Sequence, residues 1–474
     1  MSADPCKGNP RAWYSRMGDR VVKDTHDVTR TAWRSARGLA VVGLFAVHAL
    51  ALAGDLIPTP EFSDHAIPVS TLPAPESSWW EWINVAALVV ALSLASYFAL
   101  VTRSRRGLFV LAGASLIWFG FVRTGCICTV GSTQNVALAI CDRSYAIPTT
   151  VVLLFVMPLV FTLFFGRTFC AAVCPLGAIQ ELATARPVRV PSWLDHVLGL
   201  VPYFYLGLAV IFAASGTAQV ICRYDPFVGL FRMNGDVNML IFGGCVLVLG
   251  LFVGRPYCRY LCPYGAILSL LNRLSKWHAR IAPKECIQCR LCEDVCPYGA
   301  IQAPTGSLAR EQRPRARLRL AGMLGLLPVL VLVGLGLGRL LAVPLSEMDP
   351  NVRLAERIRL EAAGQVEGTT DASEAFRNTG RPAAELYSQT RTIRERFRTL
   401  GGWLGGWIGL VIGVKFVALS VRRKRTDYDT DRARCVSCAR CFWYCPGEQV
   451  RLGLIQDVSE MVDLQTIKPQ AREA

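Results

Sequence analysis

The sequence predicts a mainly α-helical protein that crosses a membrane as a polytopic bundle of about eight spans. The first observation is composition: 52% of the 474 residues are hydrophobic and the mean hydropathy is +0.35, which is too apolar for a soluble chain of this length. The second is that this apolar content is concentrated in long stretches. The third is that the basic residues behind a net charge of +16 fall mainly between those stretches.

Eight apolar stretches are long enough, or nearly so, to cross a hydrocarbon core of about 30 Å. The predicted spans are 38–56, 84–101, 107–123, 148–166, 197–216, 237–254, 320–343 and 402–420. The first six form a bundle over residues 38–256, and the last two form a separate pair. Trp79, Trp80 and Trp82 precede the second span, where an interfacial aromatic belt is expected.

Basic clusters assign alternate loops to one side of the membrane. They follow the second, fourth and eighth predicted spans and precede the seventh, within residues 103–106, 167–189, 422–425 and 313–319. By the positive-inside rule this side is cytoplasmic, so both termini are expected in the cytoplasm, on a protein of the inner membrane. The basic N-terminal segment 1–37 shows no convincing signal-peptide pattern. Because the membrane accounts for the basic charge, no nucleic-acid partner is expected.

Two runs of four cysteines share the spacing C-x2-C-x2-C-x3-C-P. They are Cys286, Cys289, Cys292 and Cys296, and Cys435, Cys438, Cys441 and Cys445. This is the spacing of bacterial two-cluster ferredoxins, in which three thiolates of a run bind one [4Fe–4S] cluster and the fourth binds the other cluster. Zinc is disfavoured because it does not need two matched runs that each end in Cys-Pro.

The spacing therefore assigns one residue of each run to the cluster of the other run. One predicted cluster is held by Cys286, Cys289, Cys292 and Cys445, here called the first thiol set. The other is held by Cys435, Cys438, Cys441 and Cys296, here called the second thiol set. Both runs must then lie on one side of the membrane, where a reducing cytoplasm keeps thiols free.

This sharing completes the predicted fold class with a split ferredoxin-like module on the cytoplasmic side. Its halves are residues 280–305 and residues 430–474, the latter including the C-terminal tail. The spans 320–343 and 402–420 separate the halves and return the chain to the same side. Residues 344–401, between these spans, are expected outside as one or two amphipathic helices, or as a loop that only joins the spans.

A second cysteine pattern occurs twice, each time after a span predicted to end on the cytoplasmic side. The pattern G-R-x-x-C-x3-C-P-x-G-A runs from Gly166 to Ala178 and again from Gly254 to Ala266, an offset of 88 residues. The second Cys-x3-Cys-Pro motif occupies 258–263. Such a repeat predicts two halves that face each other across a pseudo-symmetric bundle. Its cysteines, here called the membrane-end cysteines, are Cys170, Cys174, Cys258 and Cys262. They hold a third cluster, form a redox disulfide or cap helices, and the sequence leaves these readings open.

Four further cysteines are predicted on the outer side, as a metal site or as two disulfides if that side is oxidising. They are Cys126, Cys128, Cys141 and Cys222. His48 lies inside the first predicted span, where an ionisable residue suggests a quinone or haem contact, or a hydrogen bond between helices. The turn Asp225-Pro226-Phe227 is a weak candidate for a quinone or partner site.

The two Cys-x3-Cys-Pro motifs followed by paired ferredoxin runs resemble the NapH/NosR-type membrane polyferredoxins. The match covers roughly residues 85–300 and 430–446. The resemblance implies electron transfer linked to the quinol pool, often serving periplasmic reductases of nitrogen oxides or a related maturation route. No sizeable outer domain for a flavin precedes the first predicted span, which places the chain nearer the shorter NapH-like members or implies a separate flavoprotein subunit.

The sequence thus predicts an electron-transfer subunit, such as a component of a quinol dehydrogenase, with two [4Fe–4S] clusters. A third cluster and a quinone are further candidate cofactors. Expected partners are the membrane, the quinol pool or a cytoplasmic donor, and a redox protein such as a flavoprotein or reductase subunit. No catalytic residue is expected, since no hydrolytic triad, phosphate loop or dinucleotide fingerprint occurs. The alternative is a maturation factor that supplies electrons for metal reduction in a partner enzyme. A transporter is disfavoured, since the spans offer little polar path beyond His48.

Overall fold

The computed structural model describes residues 78–125, 129–142, 145–185, 187–188, 190–233, 236–281, 286–305, 313–421 and 425–460. The segment 1–37, the predicted span 38–56 and His48 lie outside the described residues. The chain divides into two compact units, residues 1–76 with 452–467 and residues 77–451 with 468–474. Of the first unit only 452–460 are described, with a 3-10 turn at Val458–Glu460. All elements named below belong to the second unit.

Five helices lead up to and include the first membrane-end repeat. They are α1 (Ser78–Ser96), α2 (Arg105–Ser115), α3 (Thr129–Cys141), α4 (Thr149–Phe165) and α5 (Pro175–Ala183). α1 and α2 continue as π-helical turns at Tyr97–Val101 and Leu116–Val122, and a third such turn, Phe169–Val173, carries Cys170. Pro175 is the first residue of α5, where proline is favoured because its missing N–H would have no partner in the helix.

The next seven helices repeat this order after one additional short helix. They are α6 (Ser192–Leu198), α7 (Val201–Ser215), α8 (Val220–Arg223), α9 (Val228–Arg232), α10 (Val237–Gly250), α11 (Pro256–Tyr260) and α12 (Pro263–Asn272). In both halves a long apolar helix is followed by short helical structure, a second apolar helix and a helix that begins at Cys-Pro. α2–α5 and α7–α12 therefore form two structural repeats.

Helices of each repeat pack against helices of the other repeat. α4 of the first repeat contacts α12 of the second, and α10 of the second contacts α5 of the first. Similarly, α3 packs against α7, and α9 packs against the π-helical end of α2. Reciprocal contacts of this kind are what a pseudo-two-fold axis between repeats produces. This packing brings both Cys-Pro helices into one core, in which Cys174 and Cys262 are buried.

The segments that connect the apolar helices of each repeat enter the bundle. The first six residues of α3, Thr129–Gln134, are buried, and the Gln134 side chain accepts a 2.9 Å hydrogen bond from the Ile221 amide. The Asp225 carboxylate accepts a hydrogen bond from the Tyr257 hydroxyl at 3.3 Å, next to Cys258. The sequence predicted outer loops here, whereas Gln134 and Asp225 are buried and accept these hydrogen bonds inside the bundle.

The chain then forms the first ferredoxin half and a long helical hairpin. Helix α13 (Leu291–Val295) and strand β1 (Ile301–Gln302) belong to the first cysteine run. The hairpin and its connection comprise α14 (Arg313–Leu340), α15 (Ala342–Ser346), α16 (Pro350–Ala362), α17 (Asp371–Asn378) and α18 (Ala383–Ser420). Thus α18 begins within the predicted outer insert and continues without a break through the eighth predicted span.

Glycines allow α14 and α18 to approach to backbone contact. A Cβ added at Gly405 would lie 1.9 Å from the carbonyl oxygen of Gly334, and one at Gly338 would lie 2.0 Å from that of Gly401. Small residues at four-residue spacing permit this close packing between helices in membranes. The hairpin returns the chain to the first ferredoxin half.

The second ferredoxin half pairs directly with the first. It contains β2 (Asp429–Thr430), α19 (Arg440–Tyr444) and α20 (Pro446–Arg451). β1 and β2 are antiparallel, with Ile301 opposite Thr430 and Gln302 opposite Asp429, and α13 contacts α19. The two cysteine runs, distant in sequence, therefore form one structural module.

Within the part of the chain that the structure describes, five helices are long and apolar enough to cross a membrane. They are Trp79–Val101, Arg105–Val122, Ser192–Ser215, Ala316–Leu340 and Ala383–Ser420. At two other predicted spans, 148–166 and 237–254, the helices have only 17 and 14 residues. At 1.5 Å per residue the shorter is about 21 Å long, less than the hydrocarbon core of about 30 Å. The apolar sequence after Gly250 forms turns rather than helix, which is why hydropathy overestimated its length.

Candidate iron–sulfur centres

The two cysteine runs adopt the same unusual backbone. Gln288 and Arg290 have φ angles of 55° and 66°, and the matching Ser437 and Ala439 have 55° and 60°. Residues other than glycine rarely adopt this left-handed conformation. Alternating left- and right-handed residues turn successive N–H groups toward one concave face, which binds anions. Both loops are therefore shaped to surround a negatively charged group.

The first thiol set combines residues from both runs. The Cys292 thiol interacts with Cys289, Cys445 and Cys286, and Cys445 interacts in turn with Cys289 and Cys286. Backbone N–H groups also point at these sulfurs, from Leu291 to Cys289, from Glu293 to Cys292 and from Gly447 and Glu448 to Cys445. Hydrogen bonds to sulfur are among the features that tune iron–sulfur clusters.

The second thiol set lines a common cavity. All four of its cysteines line this cavity: Cys296, Cys435, Cys438 and Cys441. The Ala300 amide lies 3.4 Å from the Cys296 sulfur, and the Ser437 amide lies 3.5 Å from the Cys435 sulfur. A thiol-lined space with N–H donors aimed at the sulfurs fits a [4Fe–4S] cluster.

A single metal ion would require closely spaced ligands. Within the described parts of the chain, no three His, Cys, Asp or Glu side chains are placed to hold one ion. Four thiolates around one zinc would lie about 3.8 Å apart, given a Zn–S bond of about 2.3 Å and tetrahedral geometry. A cubane takes one thiolate on each of four irons and needs a wider set.

Burial makes these thiols poor acids in the absence of metal. It raises the pKa of Cys435 to about 12, and neighbouring Cys438 and Cys296 act in the same direction. Burial likewise raises the pKa of Cys292 to about 12. Thiolates at neutral pH therefore require a bound cation, and a coordinated thiol is deprotonated by its metal.

Glu181 on α5 joins both runs to the membrane bundle. Its buried carboxylate accepts hydrogen bonds from Arg105, from Arg255 at 3.0 Å, from Arg440 at 2.8 Å and from the Tyr298 hydroxyl at 2.7 Å. Burial opposes ionisation, but the three arginines hold the pKa of Glu181 well below its usual range. Tyr298 and Arg440 belong to different runs, so one carboxylate fixes both against α5.

Asp195 on α6 provides a second junction. Its carboxylate pairs with Arg259 at 2.6 Å and with Arg434 at 2.5 Å, and accepts a 2.8 Å hydrogen bond from the Tyr260 hydroxyl. Arg434 directly precedes the second cysteine run, and Arg259 directly follows Cys258. The second membrane-end repeat is thereby tied to the second run.

The structure brings three of the membrane-end cysteines around one arginine. The Arg167 guanidinium lies 3.6 Å from the Cys170 sulfur and interacts electrostatically with Cys258 and Cys262. Cys258 also interacts with Cys170, across the repeat. Cys174 is buried and directly precedes α5, as Cys262 directly precedes α12, where its sulfur accepts a hydrogen bond from the Gly265 amide. Cys174 thus occupies the position in the first repeat that Cys262 occupies in the second.

The three sets adjoin in a row. Cys441 of the second thiol set interacts with Cys292 of the first. On the other side, Cys170 packs against a small apolar cluster of Tyr298, Ala300 and Val436. Cys296, Cys435 and Cys438 of the second thiol set pack against the same cluster. The second thiol set therefore lies between the first set and the membrane-end cysteines.

Of the four cysteines predicted on the outer side, the structure describes two. Cys141 and Cys222 are exposed and are not joined by a disulfide. Cys126 and Cys128 lie outside the described residues. The ligand role suggested for these four stays a prediction.

An apolar cavity adjoins the first membrane-end repeat. Its lining includes Leu88, Phe119, Phe169, Val173 and Asp225, the last being the one charged residue among those that line it. Burial raises the pKa of Asp225 to about 6, against the opposing effect of hydrogen bonds from the Phe227 amide and the Tyr257 hydroxyl. Sequence reasoning found the Asp225 turn only as a weak signal and missed Glu181 and Arg167. The repeated Gly-Arg pair was the available clue to Arg167.

A family described as "4Fe-4S binding domain" matches the chain twice, at residues 147–193 and 236–282. A second family with the same description matches residues 279–302. The paired matches coincide with the two membrane-end repeats, and the third contains the first cysteine run.

Curated relatives match over parts of their length. Protein NirI of Paracoccus denitrificans is 37% identical over 145 residues, covering 28% of this chain and 21% of NirI. Putative electron transport protein YccM of Escherichia coli is 32% identical over 157 residues, covering 30% of this chain and 44% of YccM. Regulatory protein NosR of Pseudomonas aeruginosa is 35% identical over 149 residues, covering 27% of this chain and 20% of NosR.

The matched region spans less than half the length of each of these relatives, and no solved structure matches the chain. The relatives nevertheless include the NosR type from which the resemblance was drawn, and the family matches fall on the motifs that suggested it. Part of the chain is thus similar to parts of the NosR and NirI proteins and matches a 4Fe–4S binding domain twice, which confirms the resemblance predicted from its cysteine motifs.

Proposed function

We propose that this chain is a membrane-bound iron–sulfur electron-transfer protein whose three cysteine sets form one relay between a membrane quinol and a redox partner protein. The observation that carries the proposal is the row of sets, in which Cys292 neighbours Cys441 and Cys170 shares an apolar cluster with the second thiol set. A [4Fe–4S] cluster supplies one-electron chemistry when bound. The chain's part is to hold such groups next to one another.

In this proposal each ferredoxin cluster has ligands from both cysteine runs. The first thiol set takes its fourth ligand, Cys445, from the second run, and the second thiol set takes Cys296 from the first. The matched left-handed residues, the N–H groups aimed at sulfur and the thiol-lined cavity support this assignment. The membrane-end cysteines hold the third centre, which their convergence on Arg167 supports.

The apolar cavity beside the first membrane-end repeat is the proposed place for the quinol ring. Its lining is apolar apart from a few groups, as in most pockets for organic cofactors. Oxidation of a quinol releases two protons with two electrons. The Asp225 carboxylate is placed to accept one proton, the second would pass to water, and the cysteine-bound centres would take the electrons one at a time. Phe169 and Val173, from the turn that carries Cys170, line the same cavity.

The cysteine sets are proposed to lie on the cytoplasmic side of the inner membrane, with both termini. The basic loops predicted for that side meet the ferredoxin module: Arg103 pairs with Glu448, and Arg105 donates a hydrogen bond to the Cys438 carbonyl. The relatives' names agree with a redox role, since one is called a putative electron transport protein. A reductase or flavoprotein is the proposed partner.

The proposal is tested by reduction of the anaerobically purified protein in liposomes that contain ubiquinol or menaquinol. We expect quinol to bleach the visible absorbance of the iron–sulfur centres in part. Dithionite added afterwards should complete the bleaching. We expect about twelve irons per chain for three cubanes. Reduction by dithionite but not by either quinol would contradict the quinol as donor, and would favour a cytoplasmic donor or a maturation role.

A double variant tests the order of the relay. In Cys170→Ala/Cys258→Ala, the two thiol sets are retained, so we expect about eight irons per chain and normal reduction by dithionite. Reduction by quinol should be lost. If quinol bleaches this variant as fast as the wild type, the membrane-end cysteines are not on the route.

A further inference from the structure

Arg167 is a buried cation without a carboxylate partner in the described part of the chain. Its exposed fraction is 7%, and its Nε has no hydrogen-bond partner. Its Nη1 donates to the Ala433 carbonyl at 3.2 Å, and its Nη2 faces the Cys170 sulfur. Buried arginines are almost always paired with an opposite charge, because an isolated charge in a low-dielectric interior is costly.

The matching residue of the second repeat is balanced by the protein itself. Arg255 is 1% exposed and pairs with Glu181 at 3.0 Å, while its other nitrogens donate to the carbonyls of Cys170 and Ala171. Each of the two arginines reaches from its own repeat to a glycine of the other repeat. A Cβ at Gly265 would lie 3.5 Å from Arg167, and one at Gly177 would lie 3.2 Å from Arg255. Arg255 thus pairs with a carboxylate, whereas Arg167 faces thiols.

The groups around Arg167 identify the missing negative charge. Cys170, Cys262 and Cys258 are its electrostatic partners, and they come from both repeats. Neutral thiols do not balance a guanidinium, whereas thiolates bound to iron carry negative charge. The pairing therefore requires the cysteines in their ligated form.

We propose that Arg167 is the counter-charge of an anionic iron–sulfur centre at the membrane-end cysteines, and that it raises the reduction potential of that centre. This inference rests on the proposed function. Reduction adds one negative charge to the centre, and a fixed cation at hydrogen-bond distance from its sulfur stabilises the reduced form more than the oxidised form. Arg167 is thus a positioning residue that acts through the ligands.

The effect should decrease along the row of sets. Cys435 of the second thiol set also interacts with Arg167, but as the weakest of its contacts. No interaction of Arg167 with a thiol of the first set is described. Loss of the charge should therefore shift the membrane-end centre most, the second set less and the first set not at all.

The test is a redox titration of the full-length protein followed by electron paramagnetic resonance, with iron content measured in parallel. Arg167→Met removes the charge and Arg167→Lys keeps it. In Arg167→Met we expect at least a tenfold lower ratio of reduced to oxidised membrane-end centre at a fixed potential, a shift of about 59 mV for one electron. Arg167→Lys should recover most of this shift. Arg103→Met, which removes a cation paired with Glu448, should leave the membrane-end potential unchanged.

The outcomes separate this inference from the proposed function. A wild-type protein with no third centre would contradict the proposed relay. A wild-type third centre whose potential is the same in Arg167→Met would overturn the role of Arg167 alone. If Arg167→Met loses about four irons while Arg167→Lys retains them, the charge is needed to hold the anion, which supports the inference. Equal loss from both variants would assign Arg167 a purely structural role and overturn it.

Discussion

At the residue scale, a few buried charges assemble the centres from distant parts of the chain. Glu181 receives arginines from the first residue of α2, from the second membrane-end repeat and from the second cysteine run. Removing one partner of a buried ion pair typically costs about 3–5 kcal/mol, because the other charge remains buried. Arg167 differs from this pattern because its counter-charge depends on ligated thiols. Charge balance in this core therefore depends on the cofactors as well as on the protein.

The buried Asp225 gives a prediction for the pH dependence of stability. Its pKa is raised to about 6, so the folded state favours the neutral acid, and this contribution is lost as the pH rises from the unfolded value through 6. Between pH 4.5 and 7.5 the wild type should lose about 2 kcal/mol relative to Asp225→Asn. The measurement is thermal unfolding of both proteins in detergent at the two pH values. Parallel pH dependence in the two proteins would mean that Asp225 does not titrate in this window.

At the element scale, the hairpin of α14 and α18 determines whether the two cysteine runs meet. Its helices touch through glycines, and no side chain separates their backbones at Gly334 and Gly405. Outside this contact, α14 presents large apolar side chains such as Leu324, Leu332 and Leu337 at exposed positions. Such a surface is expected for a helix that faces lipid, so the glycine contact is the main interaction that orients α14.

Two neighbouring glycines of α14 provide a matched test of this contact. In Gly338→Leu the new side chain must displace the Gly401 backbone, since its Cβ would lie 2.0 Å from that carbonyl oxygen. Overpacking of this kind costs about 1–3 kcal/mol or more. A side chain at Gly336 meets nothing within 4 Å, so Gly336→Leu is the control. We expect lower thermal stability and lower iron content for Gly338→Leu only. Equal behaviour of the two variants would show that the close contact is dispensable.

At the scale of the whole molecule, the proposed ligation would couple cofactor binding to folding of the membrane hairpin. In that proposal each ferredoxin set combines one cysteine run with the last cysteine of the other, and β1 pairs with β2 between the same two runs. Loss of the hairpin would therefore affect both sets. The membrane-end cysteines need the two repeats to pack, so all three sets depend on contacts between distant segments.

Single cysteine variants distinguish shared from unshared ligation. Cys445→Ala should damage the first thiol set, and Cys296→Ala should damage the second, each with loss of about four irons per chain. The check is electron paramagnetic resonance of the reduced proteins, since the two clusters are expected to give separable signals. The reverse assignment, in which Cys445→Ala removes the signal of the second set, would show that each run binds its own cluster.

The sequence by itself determined the local features of this protein. Cysteine spacing predicts two runs that each bind a cluster, because a short loop has few conformations, and hydropathy located the helices at seven of the predicted spans. Only the tertiary structure decided that α4 and α10 are short, that the connecting segments enter the bundle, and that Glu181 and Arg167 complete the centres. These features depend on contacts between residues far apart in the chain. The effect of a buried charge depends on the partner that folding places beside it. Local sequence pattern marks neither the charge nor its partner.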